Sequence, residues 1–114
     1  RSSDLSDGLN LCENLFTRIA AFTKPGDVFC YPTVPVLAPK KGTLTGDNLP
    51  VVLDYYDRTM AVTSFAGVAR LPEITLPLAQ VDGVPIGLSL TAGHYQDEFL
   101  LDASQPLWGA RLAS

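Results

Sequence analysis

Charge is scarce in this 114-residue chain. Asp, Glu, Lys and Arg together make up 18% of it, with eight basic against twelve acidic side chains and a formal net charge of −4. No basic stripe stands out, which disfavours a nucleic-acid partner, and so mild an acidity bears mainly on solubility. Soft metal ligands are nearly missing: Cys12, Cys30 and His94 exhaust the cysteines and histidines, and their spacing suits no zinc site. Neither a metal nor a cofactor is expected. The two thiols sit in apolar runs and are expected to be buried and reduced, which points to the cytoplasm. No apolar run reaches membrane-spanning length and no signal-peptide pattern is present. A Gly-rich phosphate loop is absent too. The chain starts at Arg1 and not at Met, which suggests a fragment or a processed product.

What remains is apolar. Hydrophobic residues form 46% of the chain, enough to argue against disorder, and its length suits one domain with a core of its own. Cys12, Leu15, Phe16, Ile19 and Ala20 recur at helical spacing, and Lys24-Pro25-Gly26-Asp27 ends that helix. "VFCYP" is a short unbroken apolar run, the pattern of a strand buried on both faces. A long loop rich in Pro, Gly and Thr follows, of a length that seldom occurs without a function. A second helix is predicted from about Val51 to Val68, with Val52, Tyr55, Tyr56 and Met60 as its buried stripe and Asp54–Arg58 as a solvent-side pair. "LPEITLPLAQ" reads as a strand that Pro77 restricts to an edge, a bulge or a short length. Asp82-Gly83 then supplies a hairpin turn. In the returning strand Ile86, Leu88 and Leu90 fall on one face, opposite Gly87, Ser89 and Thr91. So small a second face implies close approach of another backbone or a ligand. Asp97 can cap a last helix that Pro106 is expected to stop. The order describes an α/β or α+β unit whose few strands leave a long sheet edge uncovered, as part of a larger sheet would.

Chemistry-bearing residues are few. His94 reads as a surface turn residue and not as a general base, and Asp97-Glu98 as first-turn charge that favours the helix dipole. Asp57, Ala61, Ser64 and Val68 share one face of the second helix, a carboxylate over small residues. That face is either an ordinary solvated side or the lining of a pocket whose ligand carries a cationic or hydrogen-donating group.

Four blocks in order and spacing extend this reading. They are "DVFCYPTVPVLAP", the stretch "YYDRTMAVTSFAGVARLPEITLPL", "VDGVPIGLSL", and Asp97 ahead of Leu100-Leu101. Together they resemble the C-terminal part of the amidase signature family, which includes bacterial amidases, fatty acid amide hydrolase and the A subunit of the aminoacyl-tRNA amidotransferase. The resemblance covers residues 27–104, so that 1–114 is expected to be the C-terminal segment of an amidase domain. It implies an α/β fold: part of a mixed β-sheet with flanking helices, incomplete on its own.

The resemblance also implies hydrolysis of a small carboxamide to carboxylate and ammonia or amine by a Ser–cis-Ser–Lys triad. That triad lies upstream of the matched region, so no catalytic residue is expected in this chain, which supplies sheet and pocket wall. An Asp ten residues before the glycine of the Ala-Gly element binds the substrate's amino group in the amidotransferases, and Asp57 stands at that spacing before Gly67. Thr33, in the loop after "VFCYP", resembles a pocket-rim residue. Asp57 and Thr33 are therefore the substrate-binding candidates. The implied partners are a small-molecule amide and the N-terminal part of the same fold, which would cover the small face of Gly87, Ser89 and Thr91. A homodimer stays open. The alternatives are a non-catalytic α/β interaction module and an amidotransferase A subunit segment. Departures from the family pattern are Ser64 in place of a common Asn, Arg70 and Ala79 in place of common glycines, and Gln105-Pro106 in a helix the family continues. Arg70 would be strained if the family's glycine there needs a positive φ.

Overall fold

The computed structural model describes residues 2–113, with side chains through Ala110. Its elements are α1 (Ser2–Phe22), β1 (Val28–Pro32), α2 (Leu49–Ala69), β2 (Glu73–Val81), β3 (Val84–Ala92) and α3 (Asp97–Ala113), with a 3-10 turn at Gly46–Asn48 leading into α2. The fold is α/β as expected. Three antiparallel strands lie in the order β1-β3-β2, so the last strand in sequence is the central one.

The hairpin forms for the reason its sequence suggests. Asp82 and Gly83 take φ of 52° and 77°, both positive as a two-residue type I′ turn requires, and Val81 pairs with Val84 across them. The register of β2 on β3 shifts between Leu76 and Ala79, around Pro77, and β2 is also an edge strand. Both expectations for that proline hold together. The Lys24–Asp27 turn is closed by Asp27 N–H donating to Lys24 O at 3.0 Å, with Gly26 at φ 92°.

The sheet is packed on both sides. Leu76, Leu90 and Ala92 on one face meet Leu100 of α3, with Val28, Ile74, Leu78 and Phe99 around them. On the other face Phe65 of α2 meets Phe29 and Tyr31 edge-on, with ring centroids 5.9 and 6.2 Å away. Beside α2 lies α1, whose Leu15 and Ile19 pack on Ala66, Ala69 and Leu71 and whose Phe22 ring stacks on Phe29 of β1, with centroids 6.3 Å apart.

Several expectations give way to the packing. The inner stripe of α2 is Val52, Tyr55, Thr59, Val62, Ala66 and Ala69, a strict alternation of three and four residues. Tyr56 and Met60 instead stand 58% and 55% exposed. The helix is apolar on two sides, so hydrophobicity alone did not distinguish them. β1 is not buried on both faces: Val28, Phe29 and Tyr31 are half-buried, and Cys30 and Pro32 are exposed; Cys12 is only half-buried. Pro106 lies inside α3 and does not end it. Its fixed φ is helical, so the cost there is a missing hydrogen bond and local crowding. Leu100 N–H donates to Gln96 O at 2.9 Å, so Gln96 takes the cap position and Asp97 lies in the first turn.

Arg70 ends α2 in the left-handed region, φ 57° and ψ 42°. Its N–H donates to Gly67 O and that of Leu71 to Ala66 O, the double bond pattern of a Schellman cap, with Leu71 packed on Ala66. The expected strain is therefore present. The Arg70 guanidinium pairs with Glu13 and sits 5.0 Å from the centre of the Phe16 ring, so the same residue fastens α1 to the end of α2.

The described chain remains open. Its radius of gyration is 17.0 Å, against roughly 13 Å for a compact chain of this length. It exposes 8119 Å², against roughly 6,100 Å² for a compact monomer of its mass.

Candidate functional site

Alternation along β1 places Phe29 and Tyr31 on the α2 side of the sheet, level with Thr91 and Ser89 of β3. The loop after β1 folds back over the same face. A cavity of about 560 Å³ opens there, lined by Phe29, Cys30, Tyr31, Pro32, Pro35, Ala61, Val62 and Phe65. None of these side chains is charged, which suits an apolar group. Consecutive residues 29–32 all reach it, so the cavity runs along the outer edge of β1 and not over one face alone.

Behind the cavity lies a layer of hydroxyl groups. Tyr31 OH and Thr91 Oγ1 are 2.6 Å apart, Thr33 Oγ1 and Ser89 Oγ 2.8 Å, and Thr75 Oγ1 and Ser89 Oγ 3.3 Å. Ser89 and Thr91 have no exposed surface. Each buried hydroxyl of this layer thus meets another. Burial raises the Tyr31 phenol above its ordinary value; the bond to Thr91 opposes this, while the nearby Glu73 carboxylate adds to it. Glu73 Oε1 accepts from Tyr31 OH at 3.3 Å.

The small face of β3 therefore has an occupant within the chain. A Cβ on Gly87 would lie 2.7 Å from Thr33 Oγ1 and 2.8 Å from Thr75 Cγ2. Thr33 and Thr75 cover Gly87 and Ser89, and Tyr31 covers Thr91. The expected cover by an N-terminal part is not needed at this face.

The two substrate-binding candidates occupy different places. Thr33 follows the cavity-lining Pro32 but turns its hydroxyl to Ser89, while its N–H donates to Gly87 O at 3.0 Å. Asp57 is exposed on α2, one helical turn before the cavity-lining Ala61, and makes no ion pair or hydrogen bond among the described residues. The structure does not bring them into contact. Sequence reasoning missed Phe29, Tyr31 and Phe65 as pocket walls. Their signal was aromatic alternation in "VFCYP" together with a phenylalanine just before the Ala-Gly element.

His94 stands in the turn after β3, as expected, but it is half-buried and not at the surface. Its Nε2 lies 2.8 Å from Ala69 O and its ring centre 4.1 Å from that of Phe16. It joins α1, the end of α2 and the β3–α3 turn. The Nε2–H donates to the carbonyl, an orientation that leaves that nitrogen no role as a base. No buried hydroxyl of the layer contacts a lysine or histidine, the bases that activate serine nucleophiles. Among the described residues no cluster of three or more His, Cys, Asp or Glu is placed to hold a metal ion. Among the described residues no helix is long and apolar enough to cross a membrane.

Comparison with known proteins places these features in context. The profile of the amidase family matches residues 12–101. The chain is 38% identical over 95 residues to the Mycobacterium leprae protein AmiC, covering 82% of this chain and 20% of that one. It is 37% identical over 78 residues to the glutamyl-tRNA(Gln) amidotransferase A subunit of Halobacterium salinarum, covering 68% of this chain and 17% of the relative. Amidase 1 of Oryza sativa is 31% identical over 90 residues, 79% of this chain and 20% of the rice protein. The chain thus spans about a fifth of the length of these relatives.

Proposed function

The chain belongs to the amidase family, and from that membership we propose that it is the C-terminal segment of a hydrolase that cleaves a small carboxamide to a carboxylate and ammonia or an amine. The acyl transfer runs through a Ser–cis-Ser–Lys triad contributed by the rest of the polypeptide. This segment supplies sheet and pocket wall, and by itself it hydrolyses no amide. The observation that carries the reading is the family match over residues 12–101, most of the chain.

The physical chemistry agrees with that division of labour. A serine hydroxyl attacks an amide only with a base in hydrogen-bond reach and a preorganised site for the oxyanion. Ser89, Thr33, Thr75 and Thr91 are bonded among themselves and to Tyr31, a rigid backing and not an activated nucleophile. In front of that backing the apolar cavity would hold the substrate's carbon skeleton. Asp57 would meet a hydrogen-donating group from the side of α2, and the Thr33 loop would close the rim. The enzyme works in the cytoplasm on a soluble amide.

A second reading, an amidotransferase A subunit, has one specific observation in its favour. Asp57 stands ten residues before Gly67, and a protein of that name from Halobacterium salinarum is 37% identical to the chain. The test uses a polypeptide extended to the length of the amidase relatives. It is given aryl, aliphatic and amino-bearing amides, and glutamine, with and without a serine-directed fluorophosphonate. Hydrolysis blocked by the reagent, with the label on a serine outside these 114 residues, is expected. A label on Ser89 or any other serine of this chain would refute the placement of the triad. Turnover of glutamine alone would favour the amidotransferase.

A further inference from the structure

We propose that Ser89 is a positioning residue for substrate binding: through Thr33 it fixes the loop after β1 beside the pocket, and so governs how tightly the amide is held. This role rests on the reading above, because the loop is a pocket rim only if an amide binds there.

The loop is tied to the sheet at a single residue. Thr33 follows β1 directly, and from Val34 through Pro39 the chain makes no hydrogen bond among the described residues. Pro35 and Pro39 have no N–H to give. Thr33 carries the attachment alone, with two bonds. Its N–H donates to Gly87 O at 3.0 Å, and its Oγ1 lies 2.8 Å from Ser89 Oγ. Two points of attachment, two residues apart on one strand, fix a direction where one point would allow rotation. Both lie on β3, the central strand, so the rim takes its position from the middle of the sheet. Two residues further on, Pro35 joins Tyr31 and Pro32 in lining the cavity.

The small face of β3 is built for this contact. A Cβ on Gly87 would lie 2.7 Å from Thr33 Oγ1, so glycine is what lets the threonine come down onto the strand. Ser89 has no exposed surface, so water does not compete for its hydroxyl. Thr75 Oγ1, 3.3 Å away on the other side, gives that hydroxyl its second partner. One proton and two lone pairs suffice for both contacts. A buried alanine would fill the same place without a polar group to satisfy. What the serine adds is the hold on Thr33. Ser89 reaches the substrate only through that threonine, so its loss should weaken binding and spare the chemical step.

Ser89→Ala tests this in two polypeptides. In the 114-residue chain the Thr33 amide is expected to exchange about tenfold faster, measured against the Ala92 amide. Ala92 N–H donates to Pro72 O and reports opening of the sheet. Thr33→Val breaks the same side-chain bond from its other end and should also speed the amide at that position. An unchanged ratio in either variant would overturn the anchor. In a polypeptide of the relatives' length, Ser89→Ala should raise KM for a small carboxamide about fivefold to tenfold and keep kcat within about twofold. Leu100→Val, in the core on the opposite face of the sheet, should lower the melting temperature and leave KM as it was. A fall in kcat at constant KM for Ser89→Ala would refute the positioning role, and so would an equal rise in KM for Leu100→Val, since general loosening would then explain it. Turnover with a KM that Ser89→Ala does not move refutes the role and leaves the amidase reading standing. No turnover by the unsubstituted long polypeptide refutes the amidase reading and with it the role in binding, while the exchange ratio still decides whether Ser89 anchors the loop.

Discussion

Arg70 offers a substitution whose sign can be worked out from opposing contributions. It holds φ 57° at the end of α2, a conformation that costs a side chain carrying a Cβ roughly 1–2 kcal/mol and glycine almost nothing. Against this, its guanidinium pairs with Glu13 and lies 5.0 Å from the centre of the Phe16 ring. Both ends of that ion pair are more than half exposed, 53% and 58%, so the pair contributes about 0–1 kcal/mol. The contact with the ring adds about 0.5–1 kcal/mol.

Arg70→Gly releases the strain, loses both contacts, and gives the unfolded chain extra freedom worth about 0.5–1 kcal/mol. The three effects nearly cancel, and a net change within about 1 kcal/mol is expected. Arg70→Ala keeps the strain and loses the contacts, so it should destabilise by about 1 kcal/mol, or roughly 4 °C in a domain of this size. Urea unfolding of the 114-residue chain at low salt and at 1 M salt measures all three proteins. High salt should narrow the gap between wild type and Arg70→Ala by screening the Glu13 pair. An alanine variant as stable as the arginine protein, or clearly more stable than the glycine variant, would refute the balance of strain and contact described here.

Three further outcomes follow from the hydroxyl layer and α2. Gly87→Val places a branched side chain where even a Cβ would come within 2.7 Å of Thr33 Oγ1; about 1–3 kcal/mol of stability should be lost, whereas the exposed Gln80→Val stays near wild type, and equal melting temperatures would contradict the contact. The raised Tyr31 phenol stabilises the fold fully below the ordinary tyrosine pKa, and that contribution disappears as pH rises through the higher folded value. Wild type should therefore lose stability above about pH 10 more steeply than Tyr31→Phe, which at neutral pH is itself weakened by stranding Thr91; parallel alkaline profiles would show that the phenol does not titrate with folding. In a polypeptide of the relatives' length, Asp57→Asn should lower kcat/KM for an amino-bearing amide by the equivalent of about 1.5–3 kcal/mol and affect an apolar amide far less. Identical losses on both substrates would point to folding and not to recognition.

Local chemistry was the legible part of this fold. Asp82-Gly83, Pro77, Lys24-Pro25-Gly26-Asp27 and the Asp54–Arg58 pair each carry their reason within a few residues, and each stands where expected; the pair is 3.1 Å apart. What failed depended on distant neighbours. Tyr56 and Met60 are as apolar as the residues that α2 buries, and only the small Ala66 and Ala69 allow α1 close enough to choose the face. "VFCYP" has the composition of a central strand, but β3 reaches only one of its sides. His94 looked exposed because its partners, Phe16 and the Ala69 carbonyl, are far away in sequence. At the candidate site, Asp57 and Thr33 were found through family spacing. The aromatic wall of Phe29, Tyr31 and Phe65 emerges only once β1 and α2 are side by side.

That the central strand is the last of the three to be made has a consequence for the order of events in folding. The hydroxyls of Thr75 and Ser89, within the hairpin, meet across a separation of 14 residues, whereas Tyr31 meets Thr91 across 60. Lengthening a closed loop by about two doublings costs on the order of 1.2 kcal/mol more in chain entropy. A hairpin with a two-residue turn closes in about 1–10 μs. Within this segment some fifty residues must follow β1 before β3, its partner here, appears. The hairpin is then the template and β1 the late arrival, docking from solution onto a surface already formed. A mutation in the Asp82-Gly83 turn should for that reason slow the assembly of the whole sheet, while one in β1 chiefly hastens its loss.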